Sequence, residues 1–213
     1  MKRLSSAKSR LTGLTPSLRA QLVFAMAVDT VEAAAEASRV RDITVLTDEP
    51  SLQRIAPTLG VHVLPDEGQG DLNRALVRGA EQLDDRAGMG TAVLLADLPG
   101  LRADDLDQAL AFADGHPRAF VADHRGTGTT LLTSARGDAL RPCFGVDSAS
   151  AHAASGAVAV PLSVATLRHD VDVSQDLGFL RELNVGRHTR ALLAPTLASL
   201  VHGSGGIESR QAG

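Results

Sequence analysis

Three aspartates set the first chemistry to consider. Asp97 ends the apolar run "AVLLAD", and Asp170 and Asp172 stand two apart in "LRHDVDV". Residues i and i+2 of an extended segment face the same side, so Asp170 and Asp172 point together. Ligands of open α/β sheets gather beyond the carboxyl ends of strands, where Asp97 would lie. If the fold carries the pair to Asp97, three hard oxygen ligands converge, a donor set suited to Mg²⁺ accompanied by substrate phosphates. Any one strand-end Asp could instead cap a turn or a helix. Same-face carboxylates repel one another, and a cation would relieve that repulsion. The runs "DITVLTD" and "GVHVLPD" end in two further aspartates, Asp48 and Asp66.

Two more groups could meet an anion. Lys2, Arg3, Lys8 and Arg10 precede a helix start, where cationic side chains and free helix N–H groups make a phosphate site. Alone they would read as a solvated leader. In "RGTGTT" (Arg125–Thr130) glycine permits close backbone approach, and Thr129 offers a hydroxyl; an ordinary hairpin turn has the same composition. The loop "CFGVDSASAH" places Gly145 and Ser148 ahead of a possible helix. Cys143 next to Phe144 reads as packed rather than nucleophilic. His62 reads as structural, and His152 and His169 lack ligand spacing and read as bystanders. There is no Walker A motif and no G-x-G-x-x-G at a strand-to-helix turn.

An alternation of strands and helices must position these residues. Thr15-Pro16 reads as an N-cap with Pro at the first helical position, opening a long helix. Strands are expected at Asp42–Asp48, Gly60–Asp66, Thr91–Asp97, Arg118–Asp123, Gly128–Ser134 and Ala157–Leu162. Helices are expected at Gly70–Leu83 and Arg102–Ala113, the latter with an acidic first turn that suits its dipole. "SASAHAASGA" reads as a short helix or loop, and Ser174 as an N-cap for "SQDLGFLREL". The pattern is an α/β sandwich with a largely parallel sheet. One domain is expected over residues 1–201, with 202–213 a disordered tail.

Composition removes several function classes. The chain has 213 residues and a formal net charge of −4, without Trp or Tyr, so a broad nucleic-acid face is not expected. Cys143 is the single cysteine and can form no internal disulfide. The start lacks an apolar signal segment, and no run approaches the ~20 residues of a membrane span. No membrane partner is expected, and the chain reads as cytoplasmic.

The segments "MKRLSSAKSRL", "FAMAVDTVEAA", "ITVLTD", "LLADLPGL", "FVADHRGTGTTLL", "FGVDSASAH" and "LRHDVDVSQDL" occur in this order over nearly the whole chain. Together they resemble the CofC/FbiD family, guanylyltransferases of deazaflavin coenzyme (coenzyme F-420) biosynthesis. The combination of GTGT, FG-x-DS and DVD carries the resemblance. It implies a nucleotidyltransferase-type, Rossmann-like three-layer sandwich with a mixed, mostly parallel sheet. It implies transfer of GMP from GTP to a small phosphorylated three-carbon acid with release of pyrophosphate. By the motifs, Asp97, Asp170 and Asp172 would hold Mg²⁺, and Thr129, Gly145 and Ser148 the acid. Lys2 and Lys8 would lie along the nucleotide phosphates as catalytic cations, and Thr47, Asp48 and Asn73 near the guanine.

Among acceptors, the Ala- and Arg-rich composition and "DSASAH" resemble the actinobacterial branch, which favours phosphoenolpyruvate. The same reaction on 2-phospho-L-lactate or 3-phosphoglycerate is the alternative, and a non-catalytic nucleotide-binding domain a second. The unstable product would suit hand-over to a downstream transferase. In the family an apolar strand precedes the first lysine, whereas Met1 stands there in this chain; an upstream natural start is therefore expected.

Overall fold

The computed structural model describes residues 8, 11–83, 89–172, 176 and 184–202, with side chains up to 194 in the last helix. Lys2, Ser174 and the tail 203–213 fall outside the described residues.

Helix α1 (Pro16–Glu36) starts as its sequence requires: Thr15 Oγ1 accepts the Leu18 N–H at 3.2 Å, and Pro16 takes the first turn. Next come β1 (Thr44–Leu46), α2 (Pro50–Ile55) with a 3-10 turn, β2 (His62–Leu64) and α3 (Leu72–Gln82). Asp71 caps α3 by accepting the Asn73 and Arg74 N–H groups. The chain continues through β3 (Thr91–Leu94), α4 (Ala103–Ala113), β4 (Arg118–Ala122) and β5 (Thr129–Ser134). It ends with α5 (Ser148–Ala154), β6 (Val158–Ala159), α6 (Ala165–Arg168) and α7 (Arg187–His202).

Strands β3-β5-β4-β6 form one mixed sheet in that order, while β1 and β2 pair in parallel as a separate ribbon. Three strands of the larger sheet share a direction and β5 runs against them, because β4 and β5 are the two arms of a hairpin. No strand precedes α1 among the described residues. The alternation of strand side chains builds three layers. Ala119, Val121 and Leu131 face α1, α4 and α6, where Leu106, Ala109 and Leu167 are buried. Phe120 and Leu132 face the other way, onto Ala149 of α5 and Leu76 of α3. With so few aromatics, Leu, Val and Ala fill both layers; each fully buried Leu or Val is worth about 1.5–3 kcal/mol. No described helix is long and apolar enough to cross a membrane.

The expected strands are present, as are the helix after Thr15 and those expected at Gly70–Leu83 and Arg102–Ala113, most of them shorter than expected, and "SASAHAASGA" resolves into α5. The helix expected over "SQDLGFLREL" lies outside the described residues apart from Asp176. Helix α7, with Pro195 inside it, was not legible from periodicity, because proline breaks the helical reading. Its position is fixed from α1. Asp29, 5% exposed, accepts the N–H groups of His188 and Thr189 at 3.0 and 2.8 Å. Gly186 permits this approach: a Cβ there would lie 2.3 Å from the Asp29 carboxyl carbon. Glu32, one turn on, pairs with Arg187 and His188. Asp29, Glu32 and His188 thus form a clamp between helices. Asp29→Ala is expected to cost about 2 kcal/mol, the upper range for a helix cap, because it also buries two unmet N–H groups. A thermal melt should fall by roughly 4–8 °C for a domain of this size; a drop within 1 °C would refute the clamp.

Candidate active site

Asp97 lies three residues past β3, in the "DLPGL" loop, and the loop is held from three sides. Thr30 Oγ1 of α1 accepts the Leu98 N–H at 3.1 Å, and the buried Leu98 side chain anchors the turn. Pro99 O accepts the Gly186 N–H at 2.8 Å. Most telling, Asp97 O accepts the Val171 N–H at 3.1 Å. That bond lays the "DVD" segment beside the strand end. Val171 is buried in an apolar cluster with Leu22 and Met26, so its neighbours Asp170 and Asp172 turn the opposite way. Carboxylate oxygens of Asp97, Asp170 and Asp172 lie within 4.8 Å of one another. The convergence expected from spacing is present.

The Lys8 ammonium sits among them and donates to both Asp97 Oδ2 and Asp172 Oδ1. Its side chain is 16% exposed. Burial works against its charge, but the two carboxylates prevail and hold its pKa above the ordinary lysine value. Lys8 adopts a left-handed backbone (φ 53°), sparsely populated by non-glycine residues and found where surroundings over-determine a functional residue.

The Asp170 carboxyl is pushed up to about 7, first by burial and then by the charges of Asp97 and Asp172. This has a sign that can be tested. Between its ordinary range near 4 and about 7, the folded state holds a proton that the unfolded state has lost. Stability therefore falls as pH rises through that window. In chelator, melting temperature is expected to drop between pH 5 and pH 7.5 more steeply for the native protein than for Asp170→Asn. Parallel curves would show that the crowding is absent.

The donor set fits a divalent cation on two counts. The oxygens are hard, and Asp97 Oδ1 is buried without a hydrogen-bond partner among the described residues. Residues around the triad support it. Asp176 Oδ2 accepts the Asp172 N–H at 2.7 Å, and Asp176 Oδ1 accepts from Arg125 at 2.7 Å. His124 lies 3.7 Å from Asp170 and stacks on His169 at 5.1 Å between centroids. Sequence reasoning missed Asp176, Arg125 and His124; only the i, i+4 spacing of Asp172 and Asp176 hinted at the first.

The Thr129 group lies at the same sheet end. The β3–β5 register pairs Leu94 with Leu131, and Leu95 N–H donates to Thr130 O at 3.0 Å. Thr129 therefore starts β5 beside the chain that leads to Asp97. "HRGTG" is the β4–β5 turn, in which Asp123 Oδ1 accepts the Thr127 N–H. Thr129 and Ser148 are buried, their hydroxyls 3.2 Å apart. Gly145 has φ 147°, a conformation that side-chain-bearing residues rarely adopt. Asn73 grips the same loop from α3: its Nδ2 donates to Phe144 O at 2.9 Å and its Oδ1 accepts the Phe144 N–H at 2.7 Å.

His152 belongs to this group and is no bystander. It is fully buried between Thr129 and Cys143, and its ring meets Phe144 edge-on at 5.0 Å. Thr47 and Asp48 make local contacts. Thr47 Oγ1 accepts the Glu49 N–H, and Asp48 Oδ1 accepts the Asp66 N–H.

Known proteins resemble this chain in sequence and in fold. The MobA-like NTP transferase domain matches residues 24–150. A solved structure described as a nucleotide-diphospho-sugar transferase, from Desulfovibrio desulfuricans G20, superposes with a TM-score of 0.66. The superposition covers 92% of this chain and 91% of that one at 16% identity, and so speaks for the fold alone. The phosphoenolpyruvate guanylyltransferase of Geodermatophilus obscurus is 45% identical over 198 residues, 90% of each chain. That of Streptomyces coelicolor is 44% identical, covering 92% of this chain and 94% of the relative. That of Nocardia farcinica is 43% identical, covering 91% and 88%. A nucleotidyltransferase sheet that ends in a lysine-bridged aspartate triad, and likeness at this level along nearly its whole length, place the chain in the phosphoenolpyruvate guanylyltransferase family of MobA-like NTP transferases.

Proposed function

We propose that the protein transfers GMP from GTP to phosphoenolpyruvate, giving enolpyruvyl-diphospho-guanosine and pyrophosphate. The observation that carries the reading is the meeting of Lys8 with Asp97, Asp170 and Asp172 at the sheet end where β5 presents Thr129. The names of the relatives above supply the acceptor and the base. A phosphate oxygen of the acid attacks the α-phosphorus of GTP, a new P–O bond forms, and the bond to the bridging oxygen of pyrophosphate breaks. The nucleophile is already anionic and needs no general base. The protein must bring two anions together and hold them in line.

Thr129, Ser148 and the Gly145 backbone would hold the acid. Lys8, with Lys2, would offset charge along the nucleotide phosphates, a task electrostatics performs without proton transfer. Thr47, Asp48 and Asn73 are proposed nearest the guanine. Mg²⁺, held by Asp97, Asp170 and Asp172, would supply neutralisation of the developing pyrophosphate charge. The reaction would take place in the cytoplasm, and the product would pass to a downstream transferase.

Pyrophosphate release tests the reading. Purified protein is given GTP, CTP or ATP with phosphoenolpyruvate, 2-phospho-L-lactate or 3-phosphoglycerate, with and without Mg²⁺. Release is expected with GTP and phosphoenolpyruvate, at least tenfold above the other pairs, and only with the metal. Preference for another acid would reassign the acceptor, and preference for CTP would reassign the base. For the hand-over, a coupled rate that ignores the transferase concentration would refute it.

A further inference from the structure

The His152 ring has only one proton arrangement open to it. Its Nε2 lies 2.8 Å from the Cys143 N–H, a group that can only donate, so Nε2 must carry a lone pair. In the neutral ring the proton then sits on Nδ1, where Thr129 Oγ1, 2.9 Å away, accepts it alongside the Ser148 backbone. Thr129 Oγ1, already accepting from the ring, is left with its own proton to offer. Ser148 Oγ, 3.2 Å away, shares the same small network.

The ring thus ties two separate pieces of the pocket. One is the start of β5. The other is the Cys143–Phe144 backbone, which Asn73 grips from α3 and which leads into Gly145. Phe120 and Phe144 flank the imidazole, and no water-facing edge remains on a fully buried side chain. Burial first, and the Arg118 charge second, lower the His152 pKa and keep the ring neutral.

We propose that His152, through a fixed Nδ1–H tautomer, is the positioning residue of the acid subsite: it orients the Thr129 hydroxyl and holds the Gly145 loop, and so governs affinity for a small phosphorylated carboxylic acid rather than for the nucleotide. This rests on the reading that Thr129, Gly145 and Ser148 receive the acid. His152 touches neither substrate; it acts through the groups that do.

Half-replacements separate its two bonds. Asn can keep a donor where Nδ1 stands, and Gln an acceptor where Nε2 stands. His152→Asn and His152→Gln are each expected to raise KM for phosphoenolpyruvate about tenfold, the worth of one buried hydrogen bond, and His152→Leu about a hundredfold. KM for GTP should stay within twofold and kcat within threefold. Equal rises in both KM values, or a fall in melting temperature with both KM values unchanged, would overturn the proposal and leave a packing role.

Thr129→Val and Ser148→Ala are run beside these variants. If neither changes KM for the acid, the acid pocket itself is misplaced. If they raise it and the His152 variants do not, only the present inference fails. Nitrogen-15 spectra of the native imidazole give a readout independent of turnover and of variant folding. Protonated Nδ1 and bare Nε2 from pH 6 to 8 are expected; an Nε2–H tautomer or an imidazolium would refute the proposal.

Discussion

Asp97→Asn is expected to lower guanylyl transfer by about a thousandfold or more while leaving the melting temperature within a few degrees of native. The substitution keeps the shape of the side chain and removes its charge. If Asp97 were a strand-end cap, the amide oxygen would still accept a hydrogen bond, and neither rate nor stability would change much. The geometry argues otherwise. One Asp97 oxygen is committed to the Lys8 ammonium, and the other is buried without a partner among the described residues.

Three carboxylates together cost free energy; burial first, and then the charges of Asp97 and Asp172, keep the Asp170 proton on up to about pH 7. Removing one charge relieves the crowding but also breaks one of the two Lys8 ion pairs, so in chelator the two effects offset and the melt should stay within a few degrees of native. Turnover, on the mechanism proposed above, would lose a group on which charge neutralisation at the pyrophosphate depends, a loss on the scale of about 4 kcal/mol. GTP binding measured alongside turnover distinguishes the enzyme from a nucleotide-binding domain that merely kept the fold. Turnover within tenfold of native would remove Asp97 from the site.

Lys8→Met should produce two effects of opposite sign. The ammonium bridges Asp97 and Asp172, in the space between carboxylates where a divalent cation would also be drawn. Deleting it removes a competitor. Apparent affinity of the protein for Mg²⁺ or Mn²⁺ should rise several-fold, while kcat/KM for GTP falls by about a hundredfold or more, in line with loss of one preorganised cation from a transferring phosphoryl group. In chelator the variant should melt lower than the native protein, because an ion pair broken on one side leaves partly buried charge uncompensated. Added divalent cation should restore the melt and leave the rate low. Calorimetric titration with Mn²⁺ checks the first effect and pyrophosphate release the second. Weaker metal binding in the variant would mean that Lys8 and the cation do not share the space.

What depends on short-range pattern was legible along the chain. Alternating apolar runs and capped helices carried the α/β class; Thr15-Pro16 and Asp71 started their helices as local hydrogen bonding requires. The two-residue spacing of Asp170 and Asp172 placed both carboxylates on one side, because side chains alternate along an extended backbone. Motif order along the chain carried the family.

Tertiary structure decided the rest, for reasons that lie in long-range contact. Asp97 and Asp172 are 75 positions apart in the sequence, and the bond from Val171 N–H to Asp97 O, with the Lys8 bridge, sets them side by side. Lys8 showed no partner in its own neighbourhood; its partners come from two distant loops. Arg125 reaches Asp176 across 51 positions, a pairing that no local spacing encodes. Helix α7 carries an internal proline, which obscures its periodicity, and takes its cap from Asp29 on another helix. His152 read as a bystander because a histidine has no meaning until its two nitrogens have partners. The fold supplied a backbone donor on one side and a threonine hydroxyl on the other, and those neighbours fix its tautomer and its place in the pocket.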